Sequence, residues 1–306
     1  MTITAWSVTT GETGMRTQAR GLAEAVADEV TEITVEGGWP WRRAVPSPPW
    51  PDIMVSCGRR SARWALTAKR KSGGAIFAAH VQDPRRDADA FDFVVAMDHD
   101  AIAPSARVLK VATALHDLTP AKLEAAAAAW TQRLTPLGHP LTGVAIGGSL
   151  RGREFTTTDG ARLIEGLKRV KEGTGGALAI TPSRRTPAAV LGQLNEAFGG
   201  DPRVFLWDLT GDNPYRAILA ASDRLVVTSD SVSMVSEALA APRPVEVLDL
   251  GFGRHAGFIQ QLVDRRLIRR FEGDPAPPTT TGPVNATLEA AAAVKALYQA
   301  RTGFSG

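Results

Sequence analysis

Short β-branched and apolar runs alternate with amphipathic helical stretches along most of this chain. That alternation constrains the fold most, because parallel strands need a crossover between them and are buried on both faces. In the first half, strands are expected at Ile3–Val8, Glu32–Val35, Ile53–Ser56, Ala75–Ala79, Phe93–Ala96 and Arg107–Val111. Helices are expected at Met15–Glu29, Arg60–Lys71 and Pro120–Leu134. In the second half the strands read Gly143–Ile146, Ala177–Thr181, Val204–Trp207, Leu225–Thr228 and Val245–Leu248. Helices there read Asp159–Lys171, Pro187–Phe198, Asn213–Ala221, Ser231–Ala241 and Arg254–Val263.

Between the halves lies a Pro- and Gly-containing stretch, Thr135 to Thr142, of linker character. It divides the chain into two Rossmann-like domains, 1–136 and 142–284, expected to face a cleft. A second break, Gly273 to Pro283, is too rich in proline for a helix or a central strand. Extended at about 3.1 Å per residue it spans roughly 30 Å. The Ala-rich helix Asn285–Arg301, within a C-terminal segment 285–306, is therefore expected to pack back on the first domain.

The net charge of +3 across 306 residues gives no case for nucleic acid. Cys57 is the single cysteine, so neither an internal disulfide nor a multi-cysteine metal site is available. The N-terminus lacks a basic region followed by an apolar run, and no stretch approaches the roughly 18 apolar residues of a spanning helix. The expected location is cytoplasmic, with peripheral contact to the inner membrane.

The strongest motif is Val226 to Ala238, a buried strand that turns at Ser229, Asp230 and Ser231 into a helix. A helix start offers unpaired N–H groups and the positive end of the dipole, which together bind phosphate. Ser229, Ser231, Ser233 and Met234 lie around that start, and Glu237 follows where a carboxylate could hold a ribose diol. The same residues also suit simple helix capping. Three further segments follow strands of the same domain. Gly147-Gly148-Ser149 allows close backbone approach, Ser183, Arg184, Arg185 and Thr186 together suit an anion, and Gly211 to Tyr215 could contact a base or simply let Asn213 cap a Pro-initiated helix. In open α/β sheets ligands bind at the carboxyl ends of strands, and all four segments share that address.

In the first domain, Thr13, Gly14, Gln18 and Arg59 follow strands in the same manner and are assigned to the acceptor side. His80, Asp83, Asp98 and His99 are candidates for a general base. Asp98 and Asp100 form an Asp-x-Asp pair of a type that can hold a divalent metal, but a polar loop is expected here, with no metal. The loop from Gly37 to Pro51 carries Trp39, Trp41 and Trp50 with Arg42 and Arg43, a composition suited to a bilayer interface or to covering the domain's own core.

Several segments together resemble a known family. They are Trp6 with Thr13 to Glu24, Ser56-Cys57-Gly58-Arg59-Arg60-Ser61-Ala62, His80 to Pro84, Phe91-Asp92 and Asp98 to Asp100. The set continues with Ile146 to Ser149, Thr181 to Pro187, Gly211 to Tyr215 and Thr228 to Ala238. They look like those of bacterial relatives of the plant mitochondrial-fission factor called "elongated mitochondria". In plants that family implies an adaptor that recruits a dynamin-related protein. The second domain is also similar, more distantly, to the donor domain of GT-B glycosyltransferases such as lipid-A-disaccharide synthase. That resemblance implies Glu237 on the ribose, with Ser229 to Ser233 and Gly148-Ser149 on the diphosphate. No counterpart of those enzymes' catalytic base stands out in the first domain. The expected function is a metal-independent glycosyltransferase with a nucleotide-diphosphate sugar as substrate and a lipid-linked or envelope-glycan acceptor. The alternative is a non-catalytic adaptor with a protein partner.

Overall fold

The computed structural model describes residues 2–35, 48–251, 253–279 and 282–303. They form two compact units, Met1–Asp117 with Asn285–Gly306, and Leu118–Val284. Each is built on one parallel six-stranded sheet.

In the first unit the strands are β1 (Thr4–Thr9), β2 (Glu29–Thr34), β3 (Ile53–Cys57), β4 (Phe77–Val81), β5 (Phe93–Met97) and β6 (Val108–Val111). Their order is β2-β1-β3-β4-β5-β6, so the strand order reverses between β1 and β3. The central strands β3 and β4 are buried at every residue, whereas edge strand β2 is largely exposed. Alternate side chains serve the two faces. Ile53, Val55, Phe77, Ala79, Phe93 and Val95 pack against helices α1 (Thr13–Val26) and α9 (Ala286–Thr302). Met54, Ala78 and Val94 pack on the opposite side, under Trp64, Ala65 and Ala68 of α2 (Arg59–Lys71).

Small residues let α9 approach α1 closely, with Ala286, Ala290, Ala291 and Val294 meeting Ala19, Leu22 and Ala23. The Thr287 hydroxyl donates to the His116 carbonyl at 2.8 Å and accepts from its amide at 2.9 Å. One crossover departs from the expected rhythm. Between β4 and β5 the chain runs through residues 82–92 with only a 3₁₀ turn, Ala88–Ala90, where a helix would ordinarily lie.

His80, a candidate base, sits in β4 and is fully enclosed. Its Nδ1 lies 2.8 Å from the Ser56 hydroxyl, and its ring stacks on Phe91 with centroids 4.9 Å apart. Burial pushes its pKa down to about 3. The expectation that His80 takes a proton from an external hydroxyl is therefore overturned: the residue is a neutral part of the core. Alternation in a buried strand placed it inward, which its position at a strand end did not reveal.

In the second unit α3 (Pro120–Leu134) precedes β7 (Leu141–Ile146), α4 (Thr157–Thr174), β8 (Ala177–Pro182), α5 (Ala188–Phe198) and β9 (Val204–Leu206). Then come α6 (Tyr215–Ala221), β10 (Arg224–Thr228), α7 (Val232–Ala240), β11 (Val245–Leu248), α8 (Gly253–Asp264) and β12 (Arg269–Arg270). The order β12-β11-β10-β7-β8-β9 places the reversal between β7 and β10. β12 was not anticipated, because two residues carry no periodic signal. The first expected domain also ended too late, since α3 belongs to the second unit. Its stripe of Ala126, Trp130 and Leu134, spaced one turn apart, packs with Leu137, Phe205 and Ile218. Trp130 meets Phe205 edge-on at 5.8 Å.

A buried ion cluster secures β11 and the β12 edge. Glu246 is fully enclosed and pairs with Arg224 and Arg269, while Arg224 also donates to the carbonyls of Asp274 and Pro275. Burial raises the Glu246 carboxyl pKa, opposed by both guanidinium groups.

Glu246→Ala strands the Arg224 charge in the interior and is expected to lower stability by about 3 kcal/mol in urea unfolding. A loss below roughly 1 kcal/mol would show the cluster to be incidental. A pH effect follows from His80. The unfolded imidazole takes up its proton near 6.5, while the folded one resists down to about 3. The unfolded state thus binds more protons, so stability falls as pH drops through that interval. His116, pushed down to about 4 by burial, adds to the same slope. His80→Gln should make the decline shallower, as followed by denaturant midpoints across pH.

Candidate nucleotide-diphosphate site

The strand order reverses between β7 and β10, and the carboxyl ends of strands at such a reversal are the usual ligand address in open α/β sheets. β10 is buried throughout and leads through Ser229 and Asp230 to Ser231, the N-cap of α7. Ser231 adopts an extended backbone, and its hydroxyl accepts from the Met234 amide at 3.3 Å. The first turn leaves the amides of Val232 and Ser233 at the open, positive end of the helix. Ser233 and Met234 are half-buried on that turn.

Asp230 sits beside this helix start with its carboxylate wholly enclosed. It accepts from the Gly148 amide at 2.8 Å, the Thr228 hydroxyl at 2.7 Å and Arg185 Nη2 at 2.9 Å. Thr228 in turn accepts from the Gly147 amide at 2.8 Å. The Thr186 hydroxyl donates to the Gly147 carbonyl at 2.5 Å. The ends of β7, β8 and β10 are thereby laced together. The lacing explains the glycine pair. A Cβ on Gly147 would fall 2.0 Å from the Asp230 carboxylate, and one on Gly148 would fall 1.9 Å from the Arg185 carbonyl.

These contacts reassign several expected ligands. Asp230 organises the turn from within, since its oxygens are already occupied by donors. Arg185, 44% exposed, is the guanidinium that reaches the helix start, while Arg184 is exposed on the same turn. Ser183 shapes that turn: its amide donates to Thr186 and its hydroxyl accepts from the Arg185 amide. The Ser149 hydroxyl accepts from the Phe155 amide at 3.0 Å and closes the loop before α4. Ser229 is tied to the next loop, accepting from Leu250 N at 2.9 Å, while its carbonyl lies 3.1 Å from His255 Nδ1.

Glu237 lies half-buried on α7 beside the Tyr215 phenol of α6, which donates to the Met234 carbonyl at 3.5 Å. Burial, then the negative charge of Glu237, raise the Tyr215 pKa well above its ordinary value. Asn213 is exposed, with its Oδ1 accepting from the Tyr215 amide at 2.9 Å. Pro214 and not Asn213 occupies the N-cap of α6. Arg185 and Thr186 lie in the segment expected to suit an anion and Tyr215 in the one expected to contact a base, but their individual partners, and the part of Thr228, were not legible in the sequence. For Thr228 the end of a buried strand was the available signal.

In the first unit the remaining candidates lie at the carboxyl ends of their strands. Thr13 and Gly14 form the first turn of α1, and buried Gln18 donates to the Gly14 carbonyl at 3.1 Å. Arg59 opens α2 and is exposed. Asp83 accepts from the Arg85 amide at 2.7 Å, Asp98 is half-buried and His99 is exposed. Among the described residues no group of three or more His, Cys, Asp or Glu could hold a metal. Trp39, Trp41, Arg42 and Arg43 lie outside the described residues. Trp50 packs edge-on against Trp6 at 5.9 Å, so this tryptophan folds over its own core. No helix among the described residues is long and apolar enough to cross a membrane.

Comparison with known proteins places this geometry. The UDP-GlcNAc 2-epimerase from Methanocaldococcus jannaschii superposes with a TM-score of 0.61 at 11% identity, covering 99% of this chain and 100% of that one. The glycosyltransferase SnogD from Streptomyces nogalater superposes with a TM-score of 0.52 at 14% identity, over 98% of this chain and 95% of that one. At such identities the likeness is one of fold, a GT-B-like α/β architecture. The mitochondrial fission protein ELM1 of Arabidopsis thaliana is 31% identical over 82% of this chain, which spans 65% of that protein's length. The sequence model described as mitochondrial fission ELM1 matches residues 13–298. This chain belongs to the mitochondrial fission ELM1 family.

Proposed function

We propose that the second unit binds a nucleotide-diphosphate sugar and that the chain is a metal-independent glycosyltransferase. One observation carries the reading: Arg185 is held by Asp230, the residue immediately before the N-cap of α7. A cation and an open helix start therefore lie together at the sheet's reversal point. In transfer, the acceptor oxygen forms a bond to the sugar's anomeric carbon while the bond to the diphosphate breaks. The departing diphosphate gains negative charge, which helix amides and Arg185 can stabilise in place of a metal. Solved proteins of this fold named as a UDP-GlcNAc 2-epimerase and a glycosyltransferase support a nucleotide sugar as the ligand class.

Glu237 is assigned to the ribose, where its partner Tyr215 would orient it. The acceptor proton needs a base. With His80 enclosed in the core, Asp83, Asp98 and His99 remain as candidates. A lipid-linked or envelope-glycan acceptor would place the protein at a membrane surface.

A thermal-shift screen with UDP, GDP, CDP and their sugars tests the reading. A ligand at 100 times its dissociation constant stabilises the native state by about 2.7 kcal/mol. No stabilisation by any of them would favour a non-catalytic adaptor that acts through a protein partner. Given a hit, calorimetry should show affinity abolished in Glu237→Ala and strongly reduced in Ser231→Ala. Arg185→Ala should weaken binding by about tenfold or more, because it removes a cation and leaves the Asp230 charge to repel the diphosphate. Arg184→Ala should cost far less. Equal losses for the two arginines would remove Arg185 from its assigned role.

A further inference from the structure

The helix-free crossover between β4 and β5 leaves a groove of about 740 Å³ beside α2. One wall is α2, which presents Arg63, Leu66, Lys69 and Arg70. The other is the crossover, which presents Arg86 and Asp87. Lys69 ties the walls together, pairing with Asp92 at 2.8 Å and donating to the Ala90 carbonyl at 3.0 Å. Arg63, Arg70 and Arg86 are exposed, and none of them enters an ion pair among the described residues. Arg70 donates only to neighbours on its own helix, the Leu66 carbonyl and the Thr67 hydroxyl, each at 3.3 Å.

Helix electrostatics account for part of this charge. Lys69, Arg70 and Lys71 in the last turn of α2 complement the negative end of its dipole. They do not account for Arg63 in mid-helix or for Arg86, which arrives from a different segment. Cations converging on an open groove with Asp87 as the only carboxylate of its lining repel one another until an anion enters. Guanidinium forks match phosphate oxygens two at a time, and the groove is wide enough for more than one phosphate.

We infer that this groove is a second anion site, distinct from that of the other unit, and that it takes a ligand bearing two or more phosphate groups. The same chemistry could be supplied by a soluble polyphosphorylated compound or by the head group of an anionic lipid. Arg63 and Arg86 grip the ligand from opposite walls, and Leu66 packs against its less polar part.

The test uses the full chain and inorganic tripolyphosphate, titrated by calorimetry at fixed ionic strength. A parallel arm measures cosedimentation with phosphatidylcholine vesicles with and without cardiolipin, whose head group carries two phosphates. The double variant Arg63→Ala/Arg86→Ala is compared with Arg107→Ala/Lys295→Ala, which removes the same charge from exposed positions elsewhere on the unit. The site of the second unit is intact in all three proteins, so differences among them report the groove alone. Removing the two groove arginines should weaken tripolyphosphate or vesicle binding by about tenfold, with the control double variant unchanged. Loss in the tripolyphosphate arm identifies a soluble ligand, and loss confined to vesicles with cardiolipin identifies a lipid head group. Binding that is absent in both arms, equal in wild type and the groove variant, or equally reduced in the control overturns the inference.

Discussion

A buried carboxylate cannot keep its charge without donors around it, and the second unit is organised about that requirement at Asp230. Its three donors come from three different strand ends: Gly148 after β7, Arg185 after β8 and Thr228 at the end of β10. Because Asp230 immediately precedes Ser231, satisfying the carboxylate also sets where α7 begins and which way its amides point. The glycine pair is a consequence of the same constraint, since a side chain at either position would occupy space already held by the carboxylate or by the Arg185 backbone. The geometry of the site thus descends from one desolvated charge.

The first unit solves a different problem. Among the described residues its central strands are covered on one face by two helices and on the other by the single helix α2. α9 returns from the far end of the sequence to complete the first of those faces, pinned at its start by Thr287 and at its end by Arg301, which donates to the Ile76 carbonyl at 3.2 Å. On the other face, the extended crossover and Phe91 shelter β4 without filling the space beside α2. Enclosure of His80 and the open basic groove are two results of that substitution of loop for helix.

Structures of this fold carry the names of different reactions, an epimerase and a glycosyltransferase among them, so the architecture does not choose a chemistry. Side chains must do so. In the second unit they supply donors and positive charge around a helix start. In the first unit the rim carries carboxylates and an exposed histidine, without a metal cluster among the described residues.

Periodicity in the sequence determined the parallel α/β class, nearly every strand and helix, and the bounds of α3 to the residue. Local chemistry likewise marked the Ser231 cap and the glycine pair, because capping and close turning depend on neighbours a few residues away. Tertiary structure alone decided that α3 joins the second unit, that His80 faces the core, and that Arg185 rather than Arg184 meets a carboxylate 45 positions further along. It also decided that Tyr215 meets Glu237, and that a two-residue strand closes the second sheet. Each of these rests on groups brought together by packing, and a one-dimensional pattern carries the period of an element but not the identity of what it will touch.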